Sequence, residues 1–396
     1  MKVSKAASFL AYFLFLLITT SIGAEIFLRI LLPSPQQYYI WPPNLYQVFE
    51  PSEETTPGVS GAGRFRTNSL GLRSDEPIPD RKQTIYIFGG STAIDLYLDQ
   101  DRAWVQQVQI KLNAMPDYPK TWVGNLGRSS MATMHNLLMF KFLLPDLPKP
   151  DLFVNLVGVN DLQLALKSSY LRDMSLEDHM SWTFSLTPKD KNFWKGLATV
   201  RFYHRMVAWY KKSQLGPTQT SKGNGYIEWR RCRAEAPPAN IVDQLPDLTQ
   251  ALIQYRKNLN ELVDNGNAMG APTIFLTQPT TWSDNMGPIE ISNMFTGGIG
   301  PNADWCKEKR YYSPRALAEG MDRFNKVLRD VCKNRNLYCI DLEAKVPKQA
   351  KYFYDEMHAS NAGADLFSDA VTKGLLEFKR LNGGTFPSVK NKTASR

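Results

Sequence analysis

The stretch Thr84-Ile85-Tyr86-Ile87-Phe88-Gly89-Gly90-Ser91-Thr92 decides the fold. Five mostly apolar, β-prone residues run directly into two glycines and a serine, a pattern typical of a buried central strand in a parallel sheet. Paired glycines allow a tight turn and the close approach of another group. The pattern therefore predicts Ser91 at the carboxyl end of a strand, the edge where open α/β sheets bind ligands. By itself, it also fits an ordinary turn.

Strands and helices alternate along the rest of the chain. Further strands are predicted at 121–125, 151–157, 272–277 and 337–341, and helices at 104–112, 131–144, 248–269, 314–334 and from the cap Ser360 to residue 381. Repeated βαβ units imply a parallel sheet between two helical layers. The prediction is an α/β fold, a three-layer, doubly wound, flavodoxin-like sheet of about five parallel strands within residues 84–381.

The composition limits the classes of function. With 396 residues, 43% of them hydrophobic, the chain can build a sizeable core, which excludes global disorder. The net charge is +9, but the basic residues are scattered, which suits an anionic lipid or glycan surface, and no nucleic-acid partner is predicted. The sequence contains no zinc-type Cys/His spacing, P-loop or GxGxxG motif, so no metal and no cofactor are predicted.

Residues 6–32 are predicted to form a transmembrane anchor. Lys2 and Lys5 precede an uncharged segment, 6–24, that would make about 28 Å of helix, close to the hydrocarbon thickness of a bilayer. A cleaved signal peptide is the alternative. An uncleaved anchor is favoured because the apolar pattern resumes after residue 24, where Glu25 and Arg29 are spaced to pair one helical turn apart.

The anchor predicts the topology of the chain. By the positive-inside rule, residues 1–5 are cytoplasmic and the remainder is extracytoplasmic. Residues 33–83 are predicted to be an extension that drapes over the domain surface, and 382–396 a disordered tail. Four cysteines in an exported domain permit two disulfides in any of three pairings, with buried free thiols as the alternative: Cys232, Cys306, Cys332 and Cys339.

Residues 168–246 interrupt the alternation of strands and helices. The segment is too long for a plain connection and combines many basic residues with four tryptophans, at positions 182, 194, 209 and 229. Because aromatic faces and cationic groups suit glycans, one interpretation is a lid or a carbohydrate-contacting insertion. The other is a helical subdomain whose tryptophans are core residues.

A serine becomes a nucleophile only when a base takes its proton. Of the four histidines, His135 falls in a predicted helix, and His179 and His204 fall in the irregular segment. His358 follows Asp355 by three residues, so that one tight turn can bring the carboxylate onto the imidazole. We therefore expect His358 to be the base, although a D-x-x-H pattern alone is also common in surface turns.

Asn160 follows the predicted strand 151–157, which a doubly wound sheet places beside the first strand. An amide at that edge can donate a hydrogen bond to a developing oxyanion. The turn after strand 121–125, Asn125-Leu126-Gly127-Arg128-Ser129-Ser130, can present further backbone N–H groups. Each of these turns has an ordinary structural interpretation as well.

Together these blocks resemble the SGNH subgroup of the GDSL hydrolases over about residues 84–381. Phe88-Gly89-Gly90-Ser91 is similar to the nucleophile block, in the variant with glycine in place of the usual aspartate. Gly158-Val159-Asn160-Asp161 is similar to the GxND block, and Asp355-Glu356-Met357-His358 to the DxxH block. The resemblance implies the SGNH hydrolase fold, with Ser91 as nucleophile and oxyanion donor, Asn160 as donor, His358 as base and Asp355 as its orienting carboxylate.

One block departs from the family pattern. Ser130 stands where family members usually carry a glycine whose backbone N–H completes the oxyanion hole. The N–H survives this exchange, so Ser130 remains the predicted donor, with Gly127 as the nearest alternative. The anchor, the GGS variant and the segment Thr67-Asn68-Ser69-Leu70-Gly71-Leu72-Arg73 also resemble membrane-anchored bacterial members linked to cell-surface glycans.

The resemblance implies a membrane-anchored serine esterase whose catalytic domain lies in the bacterial periplasm. It would remove acyl groups, most simply acetyl, from an envelope glycan or a related small ester, with envelope polysaccharide machinery as a partner. An O-acyltransferase, which passes the acyl group to a sugar hydroxyl, is the alternative within the same chemistry. A non-catalytic envelope-assembly module is a third expectation, and the intact Ser91, Asn160, Asp355 and His358 argue against it.

Overall fold

The computed structural model describes residues 5–31, 38–167, 175–185, 197–200, 202–203, 206–207, 218–219, 224–299 and 305–387. The strands within these ranges are β1 Tyr46–Phe49, β2 Gly63–Arg66, β3 Gln83–Gly89, β4 Thr121–Asn125, β5 Leu152–Leu156, β6 Thr218–Gln219, β7 Ile241–Val242, β8 Thr273–Leu276, β9 Tyr311–Tyr312 and β10 Cys339–Ile340. The helices are α1 Lys5–Leu31, α2 Ser91–Ile94, α3 Trp104–Asn113, α4 Thr133–Phe142, α5 Val159–Ala165, α6 Leu176–Thr183, α7 Asn224–Ala234, α8 Thr249–Ala268, α9 Pro288–Asn293, α10 Trp305–Glu308, α11 Pro314–Asn334, α12 Leu342–Lys345 and α13 Asn361–Leu381.

A five-stranded parallel sheet in the order β10-β8-β5-β3-β4 forms the centre of the molecule. This is the doubly wound order in which the first strand of the sheet lies between the second and the third. All five strands coincide with predicted ones, and the predicted α/β fold class is confirmed. The carboxyl ends of β3 and β5 are neighbours, with Gly89 in register with Leu156.

Alternate residues of β3 enter two different cores. Tyr86 and Phe88 pack with the layer that contains α4, α8 and α11. Ile85 and Ile87 face the opposite layer, which contains α3 and α13. Both sets are fully buried because the sheet is covered on both sides, which is why the strand reads as a continuous apolar run.

The segment before β3 is more ordered than the sequence pattern indicates. β1 pairs antiparallel with β2 and parallel with β6, and Phe49 and Phe65 are buried in the core that contains α3 and α13. β2 lies where residues 64–67 are predicted to be a short strand that enters a turn, whereas no strand is predicted at β1. This part of the chain is therefore built into the domain that it precedes.

Both disulfides permitted by the sequence are present, and they resolve the three possible pairings. Cys232 pairs with Cys306, and Cys332 pairs with Cys339. The first bond joins α7, part of the predicted insertion, to α10. Arg233 secures α7 further by donating to the carbonyls of Thr296 and Tyr312 at 2.6 and 2.8 Å.

Two tryptophans of the insertion lie within the described residues. Trp182 is 39% exposed and Trp229 is 40% exposed, so neither is a core residue. The other two, at positions 194 and 209, lie outside the described residues, as does His204.

One helix among the described residues is long and apolar enough to cross a membrane. It spans Ser8–Leu31, 24 residues with a mean hydropathy of 1.9, and none of its most apolar window is buried. A signal sequence satisfies the same criterion. Glu25 and Arg29 pair within it at 2.7 Å, as their spacing predicts, and Glu25 also accepts hydrogen bonds from the backbone N–H groups of Ala198 and Thr199.

Candidate active site

Ser91 is the first residue of α2, the single helical turn that follows β3. Its side chain is half-buried, and its Oγ lies 2.7 Å from Nε2 of His358. Its backbone N–H has no backbone acceptor among the described residues, since the first N–H groups of a helix have no partner within it. A hydroxyl and an N–H therefore meet at the carboxyl edge of the central strand.

His358 and Asp355 lie in a tight turn just before α13. Nδ1 of His358 is 2.6 Å from Oδ2 of Asp355, and the other carboxylate oxygen of Asp355 accepts the backbone N–H groups of Met357 and His358, each at 2.8 Å. Asp355 is 2% exposed and His358 5% exposed. The turn holds the carboxylate against the imidazole, and the imidazole against Ser91.

The electrostatic surroundings of His358 favour its protonated form. Burial lowers the pKa of His358, but attraction to Asp355, the hydrogen bond with that carboxylate, and the nearby acids Glu356 and Asp95 outweigh burial, so the pKa is raised above its ordinary value. This is the behaviour required of a group that takes a proton from a serine hydroxyl.

Two neighbours of the triad hold this turn in place. The ring of Tyr354 stacks on the imidazole of His358, with centroids 5.4 Å apart and planes 9° apart. The buried Glu356 accepts a hydrogen bond from the N–H of Thr296 at 2.7 Å and another from the Thr296 hydroxyl. Neither residue stands out in the sequence, although both lie in or next to the DxxH block.

Asn160 is the second residue of α5, directly after β5. Its Nδ2 donates to the carbonyl of Met131 at 2.9 Å and lies so close to Gly90 that a Cβ built there would be 1.9 Å away. Only glycine fits at this position. Since an amide carries two N–H groups, the bond to Met131 orients the side chain and leaves a second N–H on the nitrogen that lies close to Gly90, the residue before Ser91.

Ser130 is exposed and has a φ of 64°, a left-handed conformation that favours glycine. This geometry explains why a glycine suits the position, and it shows that a serine can take the same backbone shape. The alternative donor, Gly127, uses its N–H for the side chain of Asn125 at 2.8 Å. Of the two, only Ser130 has a backbone N–H without a hydrogen-bond acceptor among the described residues.

The loop that carries Ser130 is secured from both sides. Asp161 accepts hydrogen bonds from the N–H and hydroxyl of Thr133, at 3.1 and 2.5 Å. Nδ1 of His135 accepts the N–H of Ala132 at 3.1 Å.

Burial, with a smaller contribution from His179, lowers the pKa of His135 to about 4, so this ring is neutral at physiological pH. His135 and His179 contact each other, and neither is hydrogen-bonded to Ser91.

The structure thus gathers Ser91, Asp355, His358 and Asn160 at one edge of the sheet and holds Ser130 on a loop bonded to Asn160. Such a set can deprotonate a serine, stabilise the imidazolium that forms and offer N–H donors to an oxyanion. Among the described residues, no group of three or more His, Cys, Asp or Glu side chains could hold a metal ion.

Several solved structures are similar to this protein, but no family or relative is identified from its sequence. No protein-family model matches the sequence, and no curated protein matches it. LAE5, an alpha/beta hydrolase enzyme from the metagenome of Lake Arreo, Spain, is similar in structure with a TM-score of 0.40 and 14% identity, over 74% of this chain and 95% of its own.

Two other similar structures are an acetylxylan esterase and a lipase. The acetylxylan esterase Axe2 from Geobacillus stearothermophilus has a TM-score of 0.40 and 12% identity, over 74% of this chain and 94% of its own. The lipase/acylhydrolase from Enterococcus faecalis has a TM-score of 0.38 and 17% identity, over 76% and 96%. At these scores the likeness carries no argument about activity, which rests on the geometry above.

Proposed function

We propose that the protein is a serine esterase that acts through an acyl-serine intermediate. The single observation that carries the proposal is the hydrogen-bonded chain from Ser91 Oγ through His358 to Asp355, with distances of 2.7 and 2.6 Å. A serine at the carboxyl edge of a parallel sheet has no structural need for a buried histidine and a buried carboxylate aligned behind it. The alignment has a direct chemical purpose, because the histidine can act as the base that activates the serine as a nucleophile.

In the first half of the reaction, Ser91 Oγ attacks the ester carbonyl while Nε2 of His358 takes its proton. Asp355 stabilises the resulting imidazolium through Nδ1. The negative charge on the carbonyl oxygen is stabilised by the N–H groups of Ser91, Asn160 and Ser130. The intermediate then collapses, and His358 returns its proton to the leaving alcohol, which leaves the acyl group on Ser91.

In the second half, His358 takes a proton from water, which attacks the acyl-serine. Collapse of this intermediate releases the carboxylic acid and restores the Ser91 hydroxyl. Hydrolysis is favoured over transfer because Ser91 is half-buried rather than enclosed, and transfer requires that water be excluded while a sugar hydroxyl is held in line.

We further propose that the protein is anchored by the Ser8–Leu31 helix and acts outside the cytoplasm. Two disulfides support an oxidising compartment, and the length and hydropathy of the helix support membrane insertion. An acetylated envelope glycan is the proposed substrate. The choice of glycan and any association with envelope polysaccharide machinery rest on the resemblance alone.

The experiment is to incubate the full-length protein, purified in detergent, with a chromogenic acetate ester. Ser91→Ala serves as the matched control, since it removes one oxygen from a half-buried turn. We expect the wild type to hydrolyse the ester and the variant to show no hydrolysis above background. Equal rates would overturn it. Acetylated oligosaccharide followed by mass spectrometry then separates the two reactions, because hydrolysis removes acetyl from the sugar, whereas transfer adds it to an unmodified acceptor.

A further inference from the structure

The one-turn helix α2 ends in an unusual way. Its last position is followed by Asp95, which adopts φ 48° and ψ 51°, a left-handed conformation. The last four carbonyls of a helix have no partner within it, and in a helix of one turn these are nearly all the carbonyls. Because the turn is buried, water is not available to accept them, and each carbonyl needs a donor from elsewhere in the protein.

Side chains from three separate segments supply those donors. Trp104 Nε1 donates to Thr92 O at 2.9 Å, Asn125 Nδ2 to Ala93 O at 2.9 Å, and Arg73 Nη1 to Ile94 O and, at 2.5 Å, to Asp95 O. Four consecutive carbonyls after Ser91 are therefore held by three side chains. We name Arg73, Trp104 and Asn125 the carbonyl clamp.

Arg73 is the central member of the carbonyl clamp. It is only 2% exposed, and it reaches beyond α2 to the carbonyl of Leu98, to which Nη2 donates at 2.6 Å. Its guanidinium lies over the ring of Phe65, 4.9 Å from the centroid. Burial lowers the pKa of Arg73 to about 10, with attraction to the buried Asp95 opposing that shift, so the side chain stays charged at neutral pH. A charge buried this deeply is costly unless its donors are all used.

The clamp is one hydrogen bond away from the nucleophile. The N–H of Asp95 donates to Ser91 O at 3.1 Å, and the N–H of Ile94 donates to Gly90 O at 3.3 Å. A shift of the clamped carbonyls therefore moves the Ser91 peptide, whose side chain must stay within hydrogen-bond reach of His358 and whose N–H must face the oxyanion. A displacement of about 1 Å at this point can cost about 10²-fold in rate.

We propose that Arg73, assisted by Trp104 and Asn125, is a positioning residue that fixes the Ser91 turn for catalysis. The proposal rests on the proposed function of Ser91. It gives the segment before β3 a catalytic purpose, because Arg73 ends the segment Thr67–Arg73 that precedes the sheet and belongs to neither the nucleophile, the GxND nor the DxxH block. A lysine cannot replace this arginine, since one ammonium group cannot reach carbonyls on two sides as a planar guanidinium does.

The test compares Arg73→Lys with Arg81→Lys in the full-length protein. Arg81 is a matched control because it also donates to a carbonyl, that of Ile78 at 3.0 Å, and lies over an aromatic ring, but at the opposite end of β3. The functional protein is counted with a fluorophosphonate probe, and kcat is expressed per labelled site. We expect Arg73→Lys to lower kcat by about 10- to 100-fold with KM within about twofold, and Arg81→Lys to leave both unchanged.

A residue that merely stabilised the fold would reduce the number of labelled sites but not the kcat of each. Unchanged kcat per labelled site in Arg73→Lys would therefore overturn the proposal, even if less protein were recovered. Should that variant fail to fold, Trp104→Phe decides. It removes the donor to Thr92 together with the pyrrole ring of a buried side chain, and kcat per labelled site is expected to fall roughly threefold to tenfold, the worth of one hydrogen bond. If the wild type itself neither turns over ester nor takes the label, the proposed function fails instead of the positioning role.

Discussion

The groups on the two sides of Ser91 differ in how many of their hydrogen-bonding atoms already have partners within the protein. On one side, His358 and Asp355 are buried and bonded in line to the Ser91 hydroxyl. On the other side, Asn160 uses one N–H for Met131, and Ser130 stands exposed on a loop. The His358 side thus has its hydrogen bonds completed within the protein, whereas the Asn160 side has N–H groups left over. Under the proposed function, the protein alone positions the base, and the oxyanion is the acceptor for the remaining N–H groups.

Loss of the base is expected to have the largest effect. His358→Ala should lower kcat/KM by at least about 10⁴-fold, because no other group among the described residues is hydrogen-bonded to Ser91 Oγ. His179→Ala is the matched control and should retain most of the activity, since the ring contacts His135 rather than Ser91. Steady-state hydrolysis of a chromogenic acetate ester measures both. Equal losses in the two variants would contradict the assignment of the base.

The Asp355 carboxylate should be nearly as important as the imidazole it orients. Asp355→Asn is expected to lower kcat by about 10³- to 10⁴-fold, because the amide no longer fixes the tautomer or stabilises the imidazolium. In the wild type the free-enzyme profile of kcat/KM should fall as the pH drops through the raised pKa of His358, above the ordinary 6.5, since the base must be neutral. The variant should move this limb to lower pH because the attraction that raises the pKa is lost. A limb that does not move would show that another group titrates.

The donor side should respond less strongly. Asn160→Ala is expected to lower the acylation rate by about 10²- to 10³-fold, the loss for one oxyanion donor, while the probe still reaches Ser91. Asn382→Ala, at the end of the last helix, is a control with no contact to the site. Rapid-mixing measurement of the acylation phase tests this. If Asn160→Ala were as damaging as His358→Ala, the proposed contrast between the two sides would be wrong.

The smallest effect is expected at Ser130. Ser130→Gly keeps the backbone N–H and relieves a positive φ of 64°, so the rate should stay within about threefold and the thermal midpoint should not fall. Steady-state kinetics and thermal unfolding provide the two readouts. A large loss of activity would mean that the hydroxyl, rather than the N–H, is the functional group at this position.

Local sequence signals were sufficient to predict the strands and helices whose positions follow from the period of their apolar residues, a capping residue or a proline. The five strands of the sheet, the cap of α13 by Ser360 and the helix Pro314–Asn334 lie where apolar period, capping residues and proline place them. The positions of Ser91 and Asn160 follow from the same patterns because each lies just after a recognisable strand, and that of His358 because it lies just before a recognisable helix.

Long-range contacts could not be predicted in the same way. The segment that ends in Arg73 resembles family members, but no local pattern predicts that its side chain is buried, since the burial depends on carbonyls about twenty residues away that only the folded turn brings together. The position of β2 is visible in the sequence as a short strand, but β1 carries no periodic signal, and the pairing of the two strands across a loop is not encoded locally. The disulfide pairing was open for the same reason: three pairings are equally compatible with the spacing of the cysteines.

The most direct test of the central claim is covalent labelling of the full-length protein with a fluorophosphonate, followed by peptide mapping. Activated serines react with this probe because the base removes their proton, and ordinary serines do not. We expect one label per chain, on Ser91, with loss of labelling in His358→Ala and retention in His179→Ala. A wild-type protein that stays unlabelled while a control hydrolase reacts, or a label on another serine, would contradict it.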